Sequence, residues 1–409
     1  MNPHSIEADG ITTSMYLTSF IHRENLFQLT GRWLCNRLEP RDGLHLTKIL
    51  ISDGYVLGDT LARFSRRLLS MVSQGGFLEK RIQSKGELRD MLCQNGHGSP
   101  PRTLELIQKY HANPDFFYRE APINGIACQD GEGRLIGIFR IKRPRRIAEK
   151  ANRYMANWIF KIVQDKARHM AEQRAKGFGV SLEGFHTPPE EMVREFTKAE
   201  DAIAASFKEG RVEFDRQSMA INDVGGIKII ADSEPLAGLE AALNRDPLIR
   251  IHQREAYQGN YNATSYMLEI PWEPELSCRR FKEERAWERY AGRGIPEEEL
   301  RKGLDRLLDG AAPTLFIELN LSTFPDMVES ELGMSIHEER ILTQRGHKTY
   351  RGYIPANVEF IIEYLLAVGL SPEVHISELP VKLWGRYLPD TISSHIRRLY
   401  RLPEGEGLY

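Results

Sequence analysis

The alternation of apolar and polar positions divides the chain into a helical beginning, a middle that holds the strands, and a helical end. Over residues 11–118 apolar positions recur with a period near 3.6. Phe27, Leu29, Trp33, Leu34 and Leu38 form one stripe, and Leu57, Leu61, Phe64, Leu68 and Leu69 form another within 56–72. Gly75-Gly76 ends the second helix, and further helices are predicted over 85–92 and, after the breaker Ser99-Pro100-Pro101, over 104–111. Near Ala121 the period changes to two. Residues 123–129 and 134–142 read as a hairpin around Asp130-Gly131-Glu132-Gly133. Segments 226–231, 248–252 and 264–272 also read as strands. Residues 314–323 alternate most clearly, with Leu315, Ile317, Leu319 and Leu321 on one face and Phe316, Glu318, Asn320 and Ser322 on the other.

Between the strands a long helix is expected to open at Pro144, with Ile147, Ala151, Tyr154, Trp158 and Ile162 as its apolar stripe. A second helix starts at Thr187-Pro188-Pro189 and ends near Gly210, a short one covers 236–243, and a highly charged helical stretch with few apolar anchors covers 278–308. A strand signal resumes at Val212. After Pro325 helices are predicted over 327–332, 336–344, 358–368 and 391–399. The expected class is α+β, one mixed sheet flanked by helices. Its regions are 1–120 (helical), 121–325 (sheet-bearing, interrupted near 151–215 and 275–312) and 326–409 (helical).

The composition narrows the function classes. Of 409 residues 41% are hydrophobic, which suffices for a real core, and Lys+Arg 55 against Asp+Glu 57 is near balance, so a polyanionic partner must be met by a local patch. Cys35, Cys93, Cys128 and Cys278 are far apart and form no C-x-x-C pair, which reads as a reduced intracellular protein without a zinc module. Residues 1–10 lack a basic-then-apolar signal pattern and no apolar run is long enough to span a bilayer, so a cytoplasmic location away from membranes is expected. His45 and Asp53 lie in the helical leader, where an isolated histidine reads as structural.

Two places carry candidate chemistry. At the first, Arg140, Lys142, Arg143, Arg145, Arg146, Lys150 and Arg153 converge on one strand-to-helix corner. Such a corner can hold phosphates beside a helix N-terminus, bind a nucleic-acid backbone, or be a solvated helix face; little aromatic interleaving weakens the nucleic-acid reading. At the second, Asn222-Asp223-Val224-Gly225-Gly226 opens an apolar strand. There Asp223 can offer an oxygen ligand to magnesium while the glycines admit a phosphate, although Asp and Gly are also ordinary turn residues. Glu318 projects from the polar face of its strand. Tyr257-Gln258-Gly259-Asn260-Tyr261 is a polar loop entering the 264–272 strand.

The order of these pieces resembles the RelA/SpoT-type nucleotidyltransferase domain of the alarmone synthetases. Arg140, Lys142 and Lys150 match that family's Arg-x-Lys and later Lys, which grip ATP phosphates. Asp223 in Asp-Val-Gly-Gly-Ile-Lys is similar to its metal-binding Asp, with Lys228 in place of arginine, and Glu318 to Thr323 is similar to its Glu-x-x-x-Arg-Thr strand, with Ser322 in place of arginine. Tyr261 in Gly259-Asn260-Tyr261-Asn262 roughly matches the tyrosine that stacks on the acceptor guanine, and Arg250-Ile251-His252-Gln253 is the nearest match to the family's basic loop.

The resemblance implies a nucleotidyltransferase-like core and transfer of pyrophosphate from ATP to the 3'-hydroxyl of a guanine nucleotide. Mg2+ would be held by Asp223 and Glu318, which would also be the catalytic pair. Phosphates would be held by Arg140, Lys142, Arg146 and Lys150, and the acceptor by Tyr261, Lys228 and His252. The absence of a His-Asp dipeptide argues against an accompanying alarmone hydrolase domain. A toxin-like relative acting on the 3' end of an RNA such as tRNA, favoured by the basic loop 345–348, and a non-catalytic nucleotide- or RNA-binding protein are the alternatives. The oligomeric state is open.

Overall fold

The structure, a computed structural model, describes residues 16–73, 75–94, 98–179, 189–211, 220–259, 261–333, 352–372 and 374–388. The fold is α+β. Seven strands form one mixed sheet: β2 (Phe77–Ser84), β3 (Pro122–Asp130), β4 (Leu135–Ile141), β6 (Gly225–Ile230), β7 (Arg250–Tyr257), β8 (Ala263–Pro271) and β9 (Thr314–Ser322), in the order β2-β3-β4-β6-β9-β8-β7. β1 (Tyr16–Leu17) and β5 (Ala220–Ile221) pair in parallel as a separate ribbon. The helices are α1 (Arg23–Leu34), α2 (Asp42–Val72), α3 (Lys85–Cys93), α4 (Pro101–Ala112), α5 (Pro144–Phe178), α6 (Pro189–Glu209), α7 (Ser233–Arg245), α8 (Pro274–Glu283), α9 (Glu297–Arg301), α10 (Phe324–Leu332) and α11 (Tyr353–Val368).

Every predicted strand within the described residues is present, each run being strand-length and bounded by turn residues. The hairpin turn forms as expected: Asp130 Oδ1 accepts from the amides of Glu132 (3.0 Å) and Arg134 (2.9 Å), and Gly133 supplies the positive φ. The signal at Val212, the helix start at Thr187-Pro188, the segments 336–344 and 391–399, and the loop 345–348 lie outside the described residues.

Other expectations are corrected. The leader is not purely helical, since β2 forms the edge of the main sheet, antiparallel to β3, with Ile82 its one buried residue. α2 begins fourteen residues before the predicted 56, at Asp42. The stretch after Cys278 has anchors after all: Cys278, Phe281, Ala286, Trp287, Ile295, Leu300 and Leu304 are buried along a chain broken into short helical turns. In α5 the deepest positions are Ile147, Ala148, Ala151, Met155, Ile159 and Val163, while Tyr154, Trp158 and Ile162 flank them, half-buried.

One face of the sheet packs on α2. Phe139, Ile227 and Leu319 lie side by side in register there, inside the core that also holds Leu57 and Leu61. That contact explains Gly225, because a Cβ would lie 2.8 Å from Leu57 Cδ1 and 3.2 Å from Leu61 Cδ1. The other face is half covered by α3, α4 and α10, which bury Leu88, Leu106 and Met327 against Ile82, Ile138 and Ile230. Its remaining half is left open.

The N-terminal residues fasten the edge of this opening. Thr18 Oγ1 donates to Asn222 Oδ1 at 2.8 Å, Ser19 Oγ donates to the Asn222 carbonyl at 3.3 Å and the Gly225 amide donates to Ser19 Oγ at 3.5 Å, so the turn that carries Asp223 is held from both flanks. His22, next along, is itself locked: its ring Nδ1 meets Asp53 Oδ1 at 2.5 Å and its amide donates to Asp53 Oδ2 at 3.0 Å, both residues being buried. Burial pushes the Asp53 carboxyl up, and His22 draws it back. Asp53 is thus an anchor of the N-terminal segment on α2.

Candidate functional site

The open half of the second sheet face is a cleft of about 710 Å³, within the range of small-molecule sites. Register builds its floor. Arg140 on β4 lies opposite Gly226 on β6, and Gly226 lies beside Glu318 on β9, which is the parallel neighbour of β6. A Cβ at Gly226 would stand 3.6 Å from Glu318 Oε2, so this glycine, unlike Gly225, is not required by packing and leaves the floor open between the arginine and the carboxylate. One row further along, Lys228 lies beside Asn320.

Lys142 follows β4 by one residue, and its amide donates to the Val224 carbonyl at 2.8 Å, which brings the β4 end against the Asp223 turn. Pro144 then starts α5, whose first turns bring Arg146, Lys150 and Arg153 to the cleft wall. Asp223 Oδ2 accepts from both Lys142 Nζ and Lys150 Nζ, and Lys142 Nζ is 3.6 Å from Glu318 Oε2. One ammonium therefore bridges two carboxylates that lie far apart along the chain. Arg145, the seventh basic residue of the corner, turns away to Glu359 (2.8 Å) and Glu363 (2.5 Å) on α11.

The lining holds eight basic side chains, Lys85, Arg140, Lys142, Arg143, Arg146, Lys150, Arg153 and Lys228, against Asp223, Glu318, Asp326 and Glu331, a formal excess of four positive charges in a chain whose net charge is −2. Charge sorted this way attracts a polyanion. The Arg140 guanidinium donates to no acceptor among the described residues. Burial raises the Asp223 carboxyl, but the charges of Lys142 and Lys150 outweigh it and hold the group below the usual carboxylate range. Burial lowers the Lys142 ammonium despite Glu318 and Asp223.

Tyr257 and Tyr261 reach the cleft from the β7–β8 hairpin. The hairpin loop is tied to the start of α10, where Asn262 donates through its amide (2.8 Å) and Nδ2 (3.2 Å) to Asp326 Oδ1. At the far end Lys85 grips Glu331 at 2.7 Å, Arg89 Nη2 adds 3.2 Å to the same carboxylate, and Tyr118 closes the wall with a left-handed backbone at φ 48°. Nothing in the residue pattern pointed to this end, because Lys85, Arg89 and Tyr118 belong to a segment that reads only as a helical leader.

Of the sequence-derived residues, Arg140, Lys142, Arg146, Lys150, Asp223, Lys228, Tyr261 and Glu318 all line this one cleft. His252 does not. It sits on the edge strand β7, hydrogen-bonded to Glu269 at 2.7 Å with its ring 4.7 Å from that of Phe316. A register shift between Ile251 and Gln253 leaves it opposite the step from Met267 to Leu268, in the middle of β8, where Glu269 and Phe316 occupy its ring.

No family model, curated protein or solved structure matches the chain. The chemistry of the cleft is therefore read from its own side chains. Among the described residues no cluster of three or more acidic, histidine or cysteine side chains is placed to hold a metal. Two carboxylates are nonetheless adjacent, and Asp223 Oδ1 is buried with no hydrogen-bond partner among the described residues. That donor set suits a magnesium ion completed by water and substrate phosphates rather than an all-protein cage. Among the described residues no helix is long and apolar enough to cross a membrane.

Lys228 gives the cleft a pH signature. Burial, with Lys85 and Arg140 adding to it, pushes its ammonium down to about 8 against the pull of Glu331, and its nearest hydrogen-bond partner is the Met327 sulfur at 3.4 Å. A bound anion stabilises the protonated form, so the affinity for inorganic pyrophosphate should fall by up to about tenfold per unit as pH rises above 8. Lys228→Arg, which stays protonated, should flatten that slope. Calorimetric titrations from about pH 7 to 9.5 check this, and an equal slope in both proteins would remove Lys228 from the anion site.

Proposed function

We propose that the chain is a magnesium-dependent pyrophosphotransferase of RelA/SpoT type, moving pyrophosphate from ATP to the 3'-hydroxyl of a guanine nucleotide. The observation that carries this reading is the juxtaposition of Asp223 and Glu318 around Lys142 in a cleft with excess positive charge. The order of the matching residues along the chain supports it.

In this reading Arg140, Lys142, Arg146 and Lys150 neutralise the triphosphate and hold it in line with the acceptor. Asp223 and Glu318 would hold Mg2+, which supplies charge stabilisation at the reacting phosphates when bound. Lys142 and Lys150, now engaged with Asp223, can turn to phosphate oxygens once another cation meets that carboxylate. Glu318 orients the acceptor hydroxyl and takes its proton as the oxygen attacks the β-phosphorus and the bond to the α-phosphate oxygen breaks, releasing AMP. Tyr261 or Tyr257 offers a ring face to the acceptor base.

The test uses ATP labelled at the γ-phosphate, with magnesium and, separately, GDP, GTP or bulk tRNA. Label moving to a guanine nucleotide with AMP as the second product supports the proposal, and Lys142→Ala should suppress the transfer. Label moving only to tRNA replaces the acceptor. No transfer to any acceptor overturns the assignment.

A further inference from the structure

The two carboxylates of the cleft are carried in different ways. Glu318 lies inside the ladder of β9, with Gly226 on one side and Met267 on the other. Asp223 lies in no ladder, because β5 ends at Ile221 and β6 begins at Gly225. The backbone of this turn must therefore find its partners outside the strands it joins. The Lys142 amide, bonded to the Val224 carbonyl, ties the turn to the end of β4 but not to β9. Another part of the chain has to fix where Asp223 stands relative to Glu318.

Residues 16–23 supply that link. Tyr16 and Leu17 pair with Ala220 and Ile221, just ahead of the turn. At the other strand, β6 reaches no further along β9 than Gly225 beside Ile317, so the first residues of β9 lack a β6 partner. The N-terminal segment takes that place. The Phe316 amide donates to the Thr18 carbonyl at 3.3 Å, and the Ala312 amide donates to the Ile21 carbonyl at 2.7 Å. Arg23 Nη1 donates to the Thr314 carbonyl at 2.8 Å and to the Thr18 carbonyl at 3.1 Å. Leu17, Phe20 and Ile21 are buried, and His22 locks the segment to α2 through Asp53.

Thr18 is where the two attachments meet. Its hydroxyl donates to Asn222 Oδ1, one residue before Asp223, and its carbonyl receives the amide of Phe316, two residues before Glu318. Ser19 extends the grip through the Asn222 carbonyl and the Gly225 amide. Thr18 is only 6% exposed, so water has little access to replace either bond.

We propose that Thr18 is a positioning residue for the metal pair: by tying the Asp223 turn to the start of β9 it holds the two carboxylates at the spacing one divalent cation needs. The inference rests on the reading of Asp223 and Glu318 as Mg2+ ligands, and it adds a residue that touches neither metal nor substrate. Removing a group that orients metal ligands costs about tenfold to a hundredfold in metal affinity. Phosphate binding should respond differently, because Arg140 and Arg146 sit on β4 and α5, to which Thr18 makes no hydrogen bond.

Thr18→Val keeps the branched shape and removes the hydroxyl, whereas Thr18→Ser keeps the hydroxyl. Manganese suits the same carboxylate and water ligands as magnesium, and electron paramagnetic resonance of Mn2+ with inorganic pyrophosphate reads the site without turnover. The wild type should bind Mn2+ at a site that Asp223→Asn loses. Thr18→Val should bind it at least about tenfold more weakly, Thr18→Ser should restore the affinity, and pyrophosphate affinity without metal should be the same in all three. Asn222→Ala should weaken Mn2+ as Thr18→Val does, and the double variant no further, because both cut the same link. A Thr18→Val protein with wild-type Mn2+ affinity overturns the inference and leaves the proposed function standing; a lower melting temperature alone would show a purely structural threonine. Failure of Thr18→Ser to restore the affinity also overturns it. A wild type without an Asp223-dependent Mn2+ site overturns the metal reading itself, and the positioning role with it.

Discussion

Asp223→Asn is expected to fold normally and to lower pyrophosphate transfer by about a hundredfold or more, the scale of losing one electrostatic stabiliser in an active site. Asparagine keeps the volume and can still accept from Lys142 or Lys150, so the turn held by Thr18 and Ser19 has no reason to open. The charge is what disappears. Without it the cleft is more positive, so ATP should bind at least as tightly while kcat falls, and the loss should appear in kcat rather than in KM. A counter-ion that only kept two lysines in place would behave differently, with stability reduced and turnover spared. Steady-state kinetics together with a thermal melt separate the two outcomes, and an Asp223→Asn protein as active as the parent would sink the catalytic role.

What the sequence made readable follows from where partners sit along it. β8 and β9 alternate because one face of each is buried, β4 and β6 read as short apolar runs because both their faces are buried, and the polar face of β9 pointed to Glu318 before any tertiary contact was known. Arg140, Lys142 and Lys150 could be grouped because a strand and the helix after it fix their relative directions locally. The first turns of α2 were hidden by buried polar groups that break the apolar period. Asp42 is matched by Trp33 Nε1 at 2.9 Å and by Arg32, and Asp53 by His22, all on other elements. β2 was hidden for the opposite reason: as an edge strand it buries only Ile82, and its exposed charges carry no alternation. His252 was placed by motif order, which says nothing about how far along its strand a side chain falls from Glu318.

Glu331→Gln should cost about 3–5 kcal/mol of folding stability at neutral pH, because breaking a buried ion pair leaves its partner charges uncompensated. Glu331 is 4% exposed, and its carboxylate receives both donors' bonds at the closed end of the cleft: Lys85, 5% exposed, at 2.8 and 2.7 Å, and fully buried Arg89 at 3.2 Å. These bonds join α3 to α10 across the sheet face, so the pair also holds the wall that Lys228 faces. Burial raises the Glu331 carboxyl, but Lys85, Lys228 and Arg89 together draw it down to about 2. A carboxyl depressed on folding contributes stability that is fully present above its unfolded value of about 4.3 and is lost as pH falls from there towards 2. Glutamine does not titrate, so the gap between the two proteins should narrow by about 1.4 kcal/mol for each pH unit below 4.3. Urea unfolding at about pH 7 and about pH 3.5 measures both gaps. Equal gaps at the two pH values, or a gap below about 1 kcal/mol at neutral pH, would show that Lys85 and Arg89 find other partners when Glu331 loses its charge.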